Sequence, residues 1–94
     1  MDMRDPQARP YFLWSEDMTV GELRAVLRGE RGPFLQAVYM GRILREARMR
    51  DVWEFLTPQQ IVEHWPQVTK HLGRRKRYWE FLLGVWREHG LISG

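Results

Sequence analysis

The sequence contains no cysteine and no asparagine, and its apolar stretches are all short. Because cysteine is absent, disulfides, thiolate metal sites and a cysteine nucleophile are excluded. No stretch approaches the roughly 20 apolar residues that a helix needs to cross a bilayer, so we expect no membrane segment. The N-terminus, MDMRDPQARP, lacks the apolar core of a secretory signal. The sequence therefore predicts a soluble cytoplasmic protein.

Arginine and aromatic residues are abundant in this chain of 94 residues, which has 13 Arg but only two Lys. It also has five Trp, four Phe and three Tyr, and aromatic side chains dominate the energetics of cores and interfaces. The length fits one domain. The formal net charge is +3, with the basic residues concentrated in 19–50 and 73–94. Such basic zones fit either nucleic acid or an acidic protein as the partner.

Capping residues and apolar spacing predict an all-α fold. Thr19 followed by Glu22 is a capping box, in which each side chain bonds the backbone of the other. Pro33 fits the first turn of a second helix, where its missing N–H costs little. Thr57 opens a later helix, and Pro66 kinks that helix or divides it in two. We find no convincing alternation of the kind that indicates strands.

The expected organisation is a compact bundle of about five short helices with an extended N-terminal aromatic arm. Residues 1–10 are polar and contain two prolines, so we expect a flexible tail there. Residues 11–92 are expected to form a single helical domain. The arm, PYFLW from Pro10 to Trp14, is too short for a stable helix.

Two sets of side chains are predicted to bind a partner. Binding hot spots are rich in Trp, Tyr and Arg, so the arm supplies candidate anchors, and its packing into the core is the alternative. A basic stripe on the first helix, spaced i, i+4, i+7, is the second set. The predicted partner-binding residues are Tyr11, Phe12, Trp14, Arg24, Arg28 and Arg31.

The last predicted helix follows the stretch GRRKRYWEFLLGVW, which sets four cations against aromatic residues. On a helical wheel its apolar residues cover an arc of roughly 200°, about twice what a surface helix needs. The helix therefore lies at the centre of the monomer, which we favour, or also packs against a second protein. The cations lie at its N-terminal end, where the helix dipole favours anions. Either they bind an anion or they form a solvated helix end; the candidate residues are Arg74, Arg75, Lys76 and Arg77.

Catalysis has little support in the sequence. His64 and His71 lie on one flank of a helix near Glu63, but they lack the spacing and the third ligand of a zinc site. No phosphate-binding glycine loop and no nucleophile elbow are present. We therefore predict no catalytic residues, no metal, no cofactor and no enzymatic activity.

Two segments resemble a known group of proteins, PYFLWSEDMT and, after a short helix, GRILREARMRDVWEFLTPQQIVEHWP. The resemblance is to small uncharacterised bacterial helical proteins that are often encoded beside nucleotidyltransferase-type toxin genes and are regarded as antitoxins. It extends from Pro10 to about Leu91 and rests on apolar and aromatic positions. It implies a protein partner, an acidic or nucleotide-handling enzyme that is neutralised by binding.

The sequence thus favours a non-catalytic protein-interaction module, with a nucleotidyltransferase-type toxin as the partner that the resemblance implies. A small nucleic-acid-binding or regulatory protein is the alternative. A homo-oligomer is left open by both interpretations.

Overall fold

The computed structural model describes residues 3–13 and 15–92, and over these residues it has six α-helices, three short 3₁₀ segments and no strand. The α-helices are α1 (Val20–Leu27), α2 (Pro33–Glu46), α3 (Met49–Phe55), α4 (Pro58–Glu63), α5 (Trp65–Val68) and α6 (Lys76–Glu88). The 3₁₀ segments are Tyr11–Leu13, Thr69–His71 and Gly73–Arg75. The prediction of a small all-α bundle is confirmed. None of the described helices is long and apolar enough to cross a membrane.

The helix starts follow the predicted capping residues. The Thr19 hydroxyl accepts a hydrogen bond from the Glu22 N–H at 3.2 Å, and the Thr19 N–H donates to the Glu22 carboxylate at 3.1 Å. The bond from the Thr19 N–H, and then the bond that the Thr19 hydroxyl donates to the same carboxylate at 3.1 Å, lower the pKa of the Glu22 carboxyl below its ordinary value. Thr57 forms the same box at the start of α4. Pro66 lies in the first turn of α5 and divides the predicted long helix in two, because it cannot donate to the preceding turn.

The centre of the fold is α2, which contacts α1, α5 and all three 3₁₀ segments. It buries a continuous side: Ala37, Met40, Gly41, Ile43 and Leu44. The last helix, α6, buries only Trp79 and Leu83. The prediction that this helix is the central one is therefore wrong, and α6 instead covers one side of the core.

The N-terminal residues pack against the rest of the chain. The Val20 and Gly21 N–H groups donate to the carbonyls of Ala8 and Pro6 at 2.8 and 3.0 Å, and Met3 is buried in the core. The structure thus differs from the expectation of a flexible tail over residues 3–10. Three N-terminal residues supply partners to the first turn of α1 and to the core, so they form part of the fold.

The expectation of an extended aromatic arm is also wrong. Tyr11–Leu13 forms a 3₁₀ turn, in which Phe12 and Leu13 are almost completely buried. The Phe12 ring packs edge-on against that of Phe55, with centroids 5.9 Å apart. The turn is favoured over an extended arm because it buries two large apolar side chains that the arm would expose to solvent. Trp14, the third predicted anchor, lies outside the described residues.

Tyr11 closes the junction between α2 and α3. Its hydroxyl donates to the Asp51 carboxylate at 2.6 Å and accepts from the Arg48 N–H at 2.7 Å. That N–H follows the end of α2 and precedes α3, so it has no helical carbonyl to bond. The phenol thus connects the N-terminal turn to a backbone group and a side chain at the start of the next helix.

Alkaline pH is expected to weaken the fold through two tyrosines. Burial, and then the hydrogen bond to Asp51, raise the pKa of Tyr11, while the hydrogen bond to Glu16, and then burial, raise the pKa of Tyr39. Since the folded pKa values exceed the unfolded value of about 10, this stability is complete below pH 10 and lost as pH rises through the folded values. We expect Tyr11→Phe to cost about 1–2 kcal/mol at pH 8 and to reduce the further loss above pH 10.

Urea unfolding at pH 8 and at a pH above 10, with phenolate absorbance followed in parallel, tests this expectation. Tyr78→Phe is the control, since no hydrogen bond of its hydroxyl is seen within the described residues and its ring is 40% exposed. An equal pH dependence in the wild type and in Tyr11→Phe would contradict the assigned role of Tyr11.

Candidate interaction surface

A cluster of aromatic rings forms where α6 meets α2 and α3. Trp79 is its centre, and its indole Nε1–H donates to the Leu44 carbonyl at 2.8 Å. That carbonyl is one of the last of α2, which would otherwise lack a donor. Ring centroids of Trp53, Tyr78 and Trp86 lie 6.2, 5.7 and 6.4 Å from that of Trp79. The buried ring of Trp79 thus fixes three less buried rings around it.

Two rings of this cluster and one ring next to it on α6 remain open to solvent. Trp53 is 39% exposed, Tyr78 40% and Phe81 67%. Tyr78 and Phe81 are three residues apart on α6, so they are neighbours on the helix surface. Trp53 belongs to α3 and stacks edge-on against Trp86 at 5.7 Å. Large exposed aromatic groups close together are typical of surfaces that bind another molecule.

The basic run, defined as Arg74, Arg75, Lys76 and Arg77, directly precedes these rings. All four side chains are exposed, and no carboxylate of the described residues forms an ion pair with any of them. The guanidinium carbon of Arg75 lies 5.4 Å from the Tyr78 ring centroid, a cation–π distance. The run begins in the 3₁₀ segment Gly73–Arg75 and ends in the first turn of α6. Four positive charges with no carboxylate partner in the described part of the chain therefore lie beside an aromatic surface.

The predicted arginine stripe is not a free surface. Arg24 donates to the carbonyls of Glu54 and Met3 at 3.1 and 3.3 Å, and its guanidinium carbon lies 4.7 Å above the Phe55 ring. It therefore holds α1 against α3 and the N-terminal residues. The stripe also extends past the helix, because α1 ends at Leu27.

The other two arginines of that stripe lie beyond α1 and are paired. Arg28 forms an ion pair with Glu30 at 2.6 Å, and Arg31 lies 3.9 Å from the Glu22 carboxylate. Surface pairs of this kind contribute little to stability, but they neutralise the charge that a partner would meet. In the structure these two arginines pair with carboxylates, and they do not form one surface with the basic run.

A second apolar surface lies at the start of α2. Phe34 is 71% exposed and borders a groove of about 320 Å³ between α2 and Thr69–His71, lined also by Lys70 and His71. The Phe34 ring stands edge-on to the His71 imidazole at 6.2 Å. Within the part of the chain that the structure describes, no three His, Asp or Glu residues come together as a metal site would require.

The sequence pattern predicted part of the exposed aromatic surface on α6. The apolar arc of α6 is wider than a single contact face can cover, and the exposed positions Tyr78 and Phe81 are the excess. Trp53 and Phe34 carry no such signal, because an apolar residue at helical spacing is normally buried.

Comparison of the chain with protein-family models, with curated proteins and with solved structures found no significant match.

Proposed function

We propose that the protein is a non-catalytic binding module that recognises an acidic protein through the start of α6. The observation that carries this proposal is the free basic run beside solvent-exposed rings. Arg74 and Arg75 supply positive charge at the rim, and Tyr78 and Trp53 supply the aromatic contact area. Interfaces typically combine a desolvated aromatic centre with a polar rim.

The charge balance of the chain supports an acidic partner. Elsewhere in the described residues, several arginines bond acids of the same chain: Arg9, Arg28, Arg31, Arg42 and Arg45. No acid among residues 3–13 and 15–92 pairs with the basic run, although acids are nearly as numerous as cations in the sequence. Placing four cations at a helix N-terminus opposes the helix dipole, so an external carboxylate or phosphate would relieve a cost present in the free protein.

The resemblance noted in the sequence suggests which acidic protein this is. Companion proteins of nucleotidyltransferase-type toxins would act by covering the active site of the enzyme. The proposed target is an acidic or phosphate-binding site on that enzyme, and arginine is suited to both carboxylate and phosphate oxygens. The proposed mechanism is steric and electrostatic masking, with Tyr78 and Trp53 replacing the buried Phe12 as anchors.

Affinity capture with the tagged protein from its native host, with and without nuclease, tests this function. We expect a stoichiometric protein that survives nuclease treatment. Changing the basic run to four glutamines should then weaken binding of the purified partner about 10- to 30-fold, and Tyr78→Ala should weaken it about tenfold. A control with equal net charge changes four cations elsewhere to glutamine: Arg9, Arg45, Arg50 and Lys70.

Equal loss of affinity in the control and in the basic-run variant would contradict a specific site at α6. Unchanged affinity in the basic-run variant would contradict it as well.

A single-stranded nucleic acid is the second candidate partner, because an aromatic platform next to several cations also fits stacked bases and phosphates. The two candidates differ in salt dependence. Four phosphate contacts predict a slope of about −3 for log affinity against log salt, whereas an interface anchored by aromatic rings should change less. Titration of an oligonucleotide of about 16 nucleotides measures this slope, and the absence of binding at low salt would remove the second candidate.

A further inference from the structure

One side of α6 is self-complementary, which means that its residues match those of a second α6 running in the opposite direction. Arg77, Phe81, Gly84 and Glu88 are spaced i, i+4, i+7, i+11, so they lie in one row along the helix. In order they present a cation, an exposed ring, a position without a side chain, and an anion. This row, which we call the α6 row, includes the exposed ring of Phe81, lies next to Tyr78 on the helix, and shares only Arg77 with the basic run.

From this symmetry we propose that two copies of the protein form a dimer by antiparallel pairing of α6 along the α6 row. The two-fold axis would pass midway between Phe81 and Gly84. Phe81 and Gly84 are then equally far from the axis, as are Arg77 and Glu88. Each Phe81 therefore meets the Gly84 of the other copy, and each Arg77 meets the other Glu88, as an isologous interface requires.

The steric features of the row suit this pairing. Phe81 is 67% exposed, which leaves most of its ring to be covered by another surface. A Cβ built on Gly84 meets nothing within 4 Å, so the helix surface has open space one turn beyond the ring. A small residue lets two helix backbones approach closely, and an aromatic ring opposite it fills the space.

The charges of the row also suit it. Neither Arg77 nor Glu88 forms an ion pair among the described residues. They are separated by three helical turns, or roughly 16 Å, which is too far for them to pair within one chain. In the antiparallel dimer, the basic run lies beside the C-terminal end of the other α6, where the helix dipole favours cations. Pairing therefore gives these cations a favourable interaction with the dipole of the other helix, which offsets their unfavourable interaction with the dipole of their own.

The size of the surface predicts a weak dimer. A helix of 13 residues is only about 20 Å long, and such a pair buries less than the roughly 1,600 Å² of a standard interface. We therefore expect association in a concentration-dependent equilibrium.

Analytical ultracentrifugation of the full chain at low salt, from about 1 µM to about 1 mM, tests the proposal. The wild type should shift from monomer to dimer over this range. Arg77→Glu places two acids opposite each other, and Glu88→Arg places two cations opposite each other, so each variant alone should dimerise about tenfold more weakly. Phe81→Ala should weaken the dimer by at least as much.

Mixing Arg77→Glu with Glu88→Arg is the decisive measurement. In the mixed dimer both charge pairs are again of opposite sign, so association should recover to near the wild-type level. Helical circular dichroism of each variant checks that the fold is retained. A wild type that stays monomeric at the highest concentration would overturn the proposal, and so would a mixture that fails to recover. Because no partner is present, this outcome is independent of the capture experiment above.

Discussion

Replacing Trp79 by alanine is expected to remove about 3–5 kcal/mol from the free energy of unfolding. The side chain is 1% exposed and stands among three other rings, so its removal leaves a large cavity. The change also removes the donor of the Leu44 carbonyl at the end of α2, and an unpaired buried acceptor is costly. Since a domain of this size has a total stability of about 5–14 kcal/mol, the variant should lose between about a fifth and all of its stability.

Urea and thermal unfolding, followed by circular dichroism, measure this loss. Trp53→Ala is the matched control, because it removes the same side chain from the same cluster where 39% of it is exposed. We expect the control to lose less than half as much stability. Trp79→Phe separates the two causes, since it keeps most of the ring and loses the hydrogen bond. Equal losses for Trp79→Ala and Trp53→Ala would contradict the central position of Trp79.

The second large effect is that Gly41→Ala and Gly84→Ala should change the free energy of unfolding in opposite directions. A Cβ on Gly41 would lie 2.5 Å from the Cβ of His71 and 3.3 Å from its carbonyl oxygen. Gly41→Ala therefore forces α2 away from the segment Thr69–His71, and overpacking of this kind costs about 1–3 kcal/mol. At Gly84 nothing lies within 4 Å, so Gly84→Ala should stabilise the monomer by about 0.5–1 kcal/mol through helix propensity.

Each glycine lies inside an α-helix, so the gain in helix propensity is common to both changes. The difference between the two free energies of unfolding thus isolates the close approach at Gly41. The measurements belong at low protein concentration, where any dimer is dissociated. Stabilisation by both substitutions would show that α2 and Thr69–His71 separate without cost, contrary to the packing described here.

Local signals in the sequence were sufficient to predict several of the helix starts. The boxes at Thr19 and Thr57, and the prolines at 33 and 66, act within one or two turns and depend on no distant contact. The predicted start of α1 and of α2 accordingly agrees with the structure. The prediction failed where the fold depends on long-range packing, as at Phe12, whose burial requires Phe55 to be brought near.

The interaction surface was only partly predictable for the same reason. A helical wheel gives the width of the apolar arc of α6, but not which part of that arc the rest of the chain covers. The predicted stripe of Arg24, Arg28 and Arg31 does not form a free surface, because charge spacing does not show which carbonyls and carboxylates lie nearby. The basic run could be identified because four adjacent cations cannot all find acids within one short turn.

The ring cluster around Trp79 also has an optical consequence. Three indoles with centroids 5.7 to 6.4 Å apart are close enough to exchange excitation energy, so they emit as one unit whose colour follows the member in contact with water. The most exposed member is Trp53, because Trp79 is buried and Trp86 is partly buried. A ligand that covers Trp53 would shift the emission of the whole cluster to shorter wavelength. Binding could then be followed by intrinsic tryptophan fluorescence, without an added label.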